Sequence, residues 1–203
     1  MALTADSVRY ALARAAEEAC LAEDDLNAAD AKLGDGDTGV MLRRLFAKLS
    51  AAAPPDQQDI GAVFQALGAA SASATGSSLG TLVTIAMLTL AKETRGSTDL
   101  PWSELGGLLA KVRDAMMSRG GATLGDKTVV DAIDAVAQSV AGVRDPDVLR
   151  AIAQDAARQS LEAFRGKPSR LGRARMFAEK SIGLDDPGML AVTRLLDALA
   201  LPR

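Results

Sequence analysis

The sequence predicts an all-α fold: eight antiparallel helices running up and down, assembled as a bundle or closed barrel. Three observations lead there. Apolar residues are 48% of the 203-residue chain while aromatics are only 3%. The core is therefore built from Ala, Leu, Val, Ile and Met, small side chains that suit closely packed helices. Apolar positions recur at helical spacing along the chain, and no stretch reads convincingly as a strand. Each amphipathic helix then needs neighbours on its inner face, which a bundle or barrel supplies. No repeat, low-complexity tract or internal boundary interrupts the pattern, so residues 1–203 read as one domain.

Taken in order, Thr4 caps a first helix that runs to about Asn27, with Val8, Leu12, Ala15, Ala16 and Ala19 on one face. An Asp- and Gly-rich loop follows. The second helix, about Gly39 to Ala52, has Met41, Leu42, Leu45, Phe46 and Leu49 as its apolar set, and Pro54-Pro55 ends it. The third covers about Ile60 to Ala72, before the Ser- and Gly-rich stretch Ser71 to Gly80, which includes Thr75. The fourth, about Thr81 to Thr94, is apolar on most sides and is the most buried. The fifth begins at Ser103 as N-cap, runs to about Ser118 and is stopped by Gly120-Gly121. The sixth, about Lys127 to Ala141, carries Val129, Val130, Ile133, Val136 and Val140 at helical spacing. Asp145-Pro146 opens a seventh that continues to about Phe164. A long irregular segment, Arg165 to Pro187, precedes a last helix from about Gly188 to Leu199.

Composition removes several classes of function. The chain has no histidine, which excludes a Ser-His-Asp triad and any zinc site built on imidazole. A net charge of −3 gives no general attraction to nucleic acid or to an anionic membrane. Cys20 is the single cysteine, so no internal disulfide forms, which fits a reducing, cytoplasmic setting. Residues Met1 to Arg9 lack the plan of a signal peptide, and the most apolar window, Leu79 to Ala91, is too short to span a bilayer.

Chemistry must therefore run on carboxylates, amines, hydroxyls, backbone amides or a bound ion. The stretch Asp30 to Gly39 places Asp30, Asp35 and Asp37 within eight residues, with glycines around the last two. Three carboxylates this close repel one another unless a hard cation, Mg²⁺ or Ca²⁺, sits among them. The plainer alternative is a solvated Asp/Gly turn in which Asp37 caps the second helix. The EF-hand pattern fails here.

The glycine-bearing loops follow helices one, three, five and seven. In up-down order alternate loops share an end, so the acidic loop and the loops around Gly76, Gly120 and Gly183 converge on one rim. Small residues before the fourth helix can form an anion site, or Ser77 or Ser78 can simply cap it. The run Gly120 to Thr128 falls one residue short of a phosphate loop, because Asp126 separates Gly125 from Lys127. It follows a helix rather than a strand, and a P-loop is rejected; Asp126 and Thr128 also fit ordinary caps for the sixth helix. Arg165 to Arg175 holds five basic residues in eleven, either a solvated loop or a set of phosphate ligands.

These segments, in this order, resemble the nucleotide-binding L subunit or domain of dihydroxyacetone kinases. The matching pieces are Asp30-x4-Asp35-Gly-Asp37-x-Gly39, Gly76-x-Ser78, Ser118-Arg-Gly120 with Gly125-Asp-Lys-Thr128, Gly172-Arg-Ala174, and Glu179-Lys-Ser-Ile-Gly183-x-x-Asp186-Pro-Gly188. Any one piece is weak; the ordered set covers nearly the whole chain.

The resemblance implies an eight-helix antiparallel barrel with ADP or ATP at one rim, and two Mg²⁺ ions held by Asp30, Asp35 and Asp37. It puts nucleotide contacts on Thr38, Gly39, Val40 and Met41, on Ser78 and Leu79, on Gly120 and Val129, on Arg173, and on Asp186, Pro187 and Gly188. A separate K subunit would hold the ketose through its own histidine, leaving this chain to supply only the phosphoryl donor. The chain departs from the family at Thr38, where a histidine is usual, at Ser78-Leu79-Gly80, and at Arg175-Met176-Phe177, where a tyrosine is usual. The acceptor ketose, a tetrulose among the candidates, stays open. So does the donor, free ATP or a bound ADP rephosphorylated by a phosphotransferase-system protein. Two other readings remain at this point: a non-catalytic adenine-nucleotide-binding regulatory module, and an acidic helical structural protein whose loops are only caps.

Overall fold

The computed structural model describes residues 2–74 and 76–199, apart from the side chain of Arg173. Thr75, part of the Ser/Gly stretch, falls outside the described residues. Among them are nine α-helices: α1 (Ala5–Leu21), α2 (Glu23–Asp30), α3 (Thr38–Ala52), α4 (Ile60–Ala72), α5 (Ser78–Glu93), α6 (Leu105–Gly120), α7 (Val129–Ser139), α8 (Pro146–Arg165) and α9 (Pro187–Asp197). Helices α1 and α3 to α9 pack each on the next, and α9 returns to α1, which closes an eight-membered ring. The short α2 packs on α3 and α9. No described helix is long and apolar enough to cross a membrane.

The predicted first helix is two helices. The chain bends at Ala22 (φ −88°, ψ 2°) although its N–H still reaches the Glu18 carbonyl at 2.8 Å. No Gly or Pro marks the break; the acidic run Glu23, Asp24 and Asp25 instead fills the first turn of α2, where negative charge meets the positive end of the helix dipole. Two three-residue strands, β1 (Ala2–Thr4) and β2 (Asp99–Pro101), also escape sequence reading, being too short to show alternation. They pair antiparallel, Leu3 opposite Leu100.

The caps explain most boundaries. Thr4 closes a capping box with Ser7, Asp59 caps α4, Ser77 caps α5 through the Gly80 N–H, and Asp145 caps α8 ahead of Pro146. Ser103 does not cap α6. It lies inside a 3₁₀ turn, Trp102–Glu104, that leads into the helix. Glycine stands at two positions where a helix packs tightly against neighbouring backbone. A Cβ on Gly61 would come 2.6 Å from the Arg95 Cα, and one on Gly106 would come 2.8 Å from the Ala137 carbonyl.

The two ends of the ring differ. The end holding the N-termini of α1, α4, α6 and α8 encloses an apolar chamber of about 680 Å³ lined by Leu12, Phe46, Phe64, Leu90, Leu108 and Leu149. The opposite end carries the loops that sequence reading singled out.

Candidate functional site

The acidic loop is built from α2. Asp30 is the last residue of that helix, and its Oδ2 accepts the N–H groups of Gly36 (2.9 Å) and Asp37 (3.1 Å), while its carbonyl accepts Gly34 N–H at 2.6 Å. The chain is thus wound around one carboxylate. Gly36 sits at φ +76°, a left-handed conformation that glycine adopts without penalty. A Cβ on Gly34 would run into the Asp30 carboxylate, its Cγ at 2.9 Å. The result brings one oxygen from each of Asp30, Asp35 and Asp37 within 4.8 Å of the others, with Asp35 and Asp37 exposed and Asp30 half-buried.

Asp37 occupies the N-cap position of α3, yet its side chain makes no cap bond. That role belongs to Asn27, whose Oδ1 accepts Gly39 N–H (2.8 Å) and Val40 N–H (3.2 Å). A Cβ on Gly39 would collide with the Glu23 carbonyl and stand 2.8 Å from Asn27 Oδ1. The Glu23–Arg43 ion pair holds the same contact between α2 and α3. The simple-cap alternative for Asp37 therefore fails, and Asn27 is a framing residue that sequence reading missed. Only its partners, twelve and thirteen residues on, reveal it.

The other singled-out residues cap or line helix ends. Thr38 and Met41 lie in the first turn of α3, Ser78 opens α5, and Leu79 and Met41 both pack half-buried against the same core cluster. Gly120 ends α6, where an added Cβ would stand 3.4 Å from the Leu82 side chain of α5, and left-handed Gly121 follows. Val129 opens α7 under a capping box between Thr128 and Asp131. Asp186 caps α9 through the Met189 N–H at 2.9 Å, with Pro187 in the first turn, and a Cβ on Gly188 would stand 3.1 Å from Val129. The starts of α7 and α9 therefore meet. An Arg194–Asp25 pair ties α9 to α2, the helix that ends in the acidic loop. Burial pushes the Asp186 carboxyl up to about 6, against the downward pull of the Met189 and Gly188 N–H groups and of Lys127.

Asp126 does not cap α7; its carboxylate accepts the N–H and hydroxyl of Thr123 within the preceding loop. Lys127, the residue of the failed phosphate loop, is buried, with only 2% of its surface exposed. Its Nζ donates to the carbonyls of Arg165 (3.2 Å), Lys167 (2.8 Å) and Ser181 (2.8 Å). The segment between those partners contains a 3₁₀ run, Arg173–Ser181, kinked at Phe177, with Met176 and Phe177 exposed. The proposed contact of Arg173 falls on a side chain outside the described residues.

The described residues thus form a closed ring of helices with a wound carboxylate loop at one end, an all-α domain with a candidate cation site. The DAK2 domain matches residues 32–201, and the chain belongs to that family. It is 30% identical over 87% of its length to the PEP-dependent dihydroxyacetone kinase, ADP-binding subunit DhaL of Escherichia coli, covering 86% of that subunit. It is 34% identical to the D-erythrulose kinase of Mycolicibacterium smegmatis over 85% of this chain but only 31% of that enzyme. The dihydroxyacetone kinase of C. freundii superposes with a TM-score of 0.75 at 25% identity over 95% of this chain and 33% of that one. The same kinase in complex with AMP-PNP and Mg²⁺ gives 0.72 at 26% identity, over the same shares of the two chains. The chain is thus the size of a DhaL subunit and about a third of the longer kinases. The eight-membered ring bears out the predicted all-α barrel.

Proposed function

We propose that the chain is the Mg-nucleotide-binding, phosphoryl-donating subunit of a dihydroxyacetone-kinase-like enzyme, serving a small ketose held by a separate K-type subunit. The observation that carries this reading is the trio of carboxylate oxygens within 4.8 Å on a loop wound around Asp30. Oxygens around one Mg²⁺ lie about 3 Å apart when adjacent and about 4.2 Å apart when opposite, so a small closing movement of two exposed side chains completes the set. The all-oxygen donor set suits Mg²⁺, with the remaining positions left to phosphate oxygens and water. The DhaL relative is by name an ADP-binding subunit, and the structural relative is a complex with AMP-PNP and Mg²⁺.

When bound, Mg²⁺ offsets phosphate charge so that a hydroxyl can approach in line. Asp30, Asp35 and Asp37 hold it, two ions being the family's expectation. Thr38, which stands where a histidine is usual, offers its hydroxyl to a phosphate oxygen but no positive charge. The starts of α3 and α5, at Thr38 to Met41 and at Ser78 and Leu79, supply the positive ends of helix dipoles. Gly120, Val129 and the Asp186-Pro187-Gly188 turn form a further wall of the nucleotide site. Arg173 adds positive charge to the phosphates. No acid or base of this chain is required to act on the acceptor hydroxyl, since the partner subunit can supply that proton transfer.

Calorimetric titration with MgADP tests the reading. Wild-type protein binds, and Asp35→Asn and Asp37→Asn lose binding at unchanged helicity. Retained affinity in both variants would defeat it. Adding a purified K-type subunit, a ketose (dihydroxyacetone or erythrulose) and a phosphoryl donor, either MgATP or MgADP with a phosphotransferase-system donor protein, then yields the sugar phosphate only when both proteins are present. Nucleotide binding without any transfer would instead favour a regulatory module.

A further inference from the structure

Lys127 belongs to a sequence motif that the site above does not use, Gly125-Asp-Lys-Thr128. Its ammonium has three N–H donors, and three backbone carbonyls take them, so none is left for a phosphate. Those carbonyls sit at the two feet of one strap. Arg165 and Lys167 are at its exit from α8, and Ser181 is at its return towards α9. Other bonds close the same junction: Gly183 N–H to the Arg165 carbonyl (2.8 Å), Ser169 N–H to Ser181 Oγ (2.7 Å), and Arg170 N–H to the Asp126 carbonyl (3.1 Å). Arg165 also pairs with Asp185 through two nitrogens, at 2.8 and 3.2 Å. Lys127 itself stands at φ +62°, the left-handed region, and is the sole non-glycine residue there among those described. A side chain that is buried, fully hydrogen-bonded and carried on an unusual backbone is held for what it joins.

We propose that Lys127 is a positioning residue for the nucleotide's phosphates. Without touching them, it clamps the feet of the strap 166–183, and so fixes the basic stretch from Arg170 to Arg175 at the rim. The inference rests on the Mg-nucleotide reading of that rim and adds how the basic side is held. The clamp also joins the strap to the loop that follows Gly120 and leads into Val129, so two walls of the proposed nucleotide site share one fastening.

Lys127→Met keeps the volume and removes the donors. In the full chain the expected result is a MgADP dissociation constant raised at least tenfold. Trypsin cleavage within the strap accelerates by a similar factor, while the thermal midpoint of the ring moves far less. A double-mutant cycle separates positioning from bulk destabilisation. Arg173→Ala weakens MgADP binding in the wild-type background, and this loss shrinks severalfold in the Lys127→Met background. Unchanged MgADP affinity, an equally protected strap, or losses that multiply independently would each overturn the proposal. If wild-type protein fails to bind MgADP, the underlying reading falls and takes this role with it. If wild type binds and Lys127→Met binds equally well, only the positioning role falls. Should Lys127→Met not fold, Ser181→Ala, which removes the Ser169 bond at the same foot, must give the same two changes at smaller size; wild-type affinity and protection there count against the clamp.

Discussion

The two sides of the rim are built on different principles. The acidic side is local: the bonds from Asp30 and Asn27 to the loop and to the start of α3 span six to thirteen residues. The basic side is non-local: the bonds of Lys127 span 38 to 54 residues and tie three segments together. The acidic side leaves Asp35 and Asp37 exposed with their oxygens gathered near that of Asp30, whereas the basic side spends its buried cation entirely on backbone carbonyls. Charge that is displayed and charge that is consumed lie at one end of the same ring. A positive residue in a glycine-rich motif is therefore not by itself a phosphate ligand.

Substitutions on each side sharpen this contrast. The largest stability effect falls on Gly39→Ala, whose methyl collides with the Glu23 backbone carbonyl and crowds Asn27 Oδ1. The expected loss is roughly 3 kcal/mol, read by urea unfolding, with strap proteolysis unchanged. Asn27→Ala removes the cap from Gly39 and Val40 and costs about 1.5 kcal/mol in the same assay.

Asp186→Asn probes the opposite wall through pH. The folded-state value of about 6 stands above the ordinary 3.8, so the native state binds the proton first. The wild type then gains stability as pH falls from about 6 to about 4, and loses it again as pH rises through 6. Asparagine keeps the cap acceptor and abolishes that part of the slope; parallel pH profiles for the two proteins would refute the assignment. The smallest effect belongs to Asp37→Ala, which changes stability by no more than about 0.5 kcal/mol because the side chain caps nothing. A loss near that of a missing cap would return Asp37 to a structural role.

Much of the fold was legible because helix signals are local. Pro146 behind Asp145, Gly120-Gly121 after α6, and the period of Val129 to Val140 act within a turn or two of the residues they govern. The break at Ala22 was not legible, since Ala is an excellent helix former and only the acidic run beyond it hints at a new start. Nor were the three-residue strands, too brief to show a period. At the site, the proximity of Asp30, Asp35 and Asp37 follows from a ten-residue stretch, and so it could be read. The burial of Lys127 could not, because its three acceptors come from backbone far along the chain and carry no side-chain signature. The cap of α5 could be narrowed only to Ser77 or Ser78, and one N–H, that of Gly80, decides for Ser77.

The central claim, that the acidic loop is the metal half of a nucleotide site, is tested most directly by thermal unfolding of the wild-type protein with MgADP, with Mg²⁺ alone and with ADP in excess chelator. At a hundredfold excess over the dissociation constant the expected gain is about 2.7 kcal/mol with MgADP, lost with ADP in chelator and absent from the Asp37→Asn variant. A null shift at millimolar MgADP, or an equal shift with ADP in chelator, would contradict it.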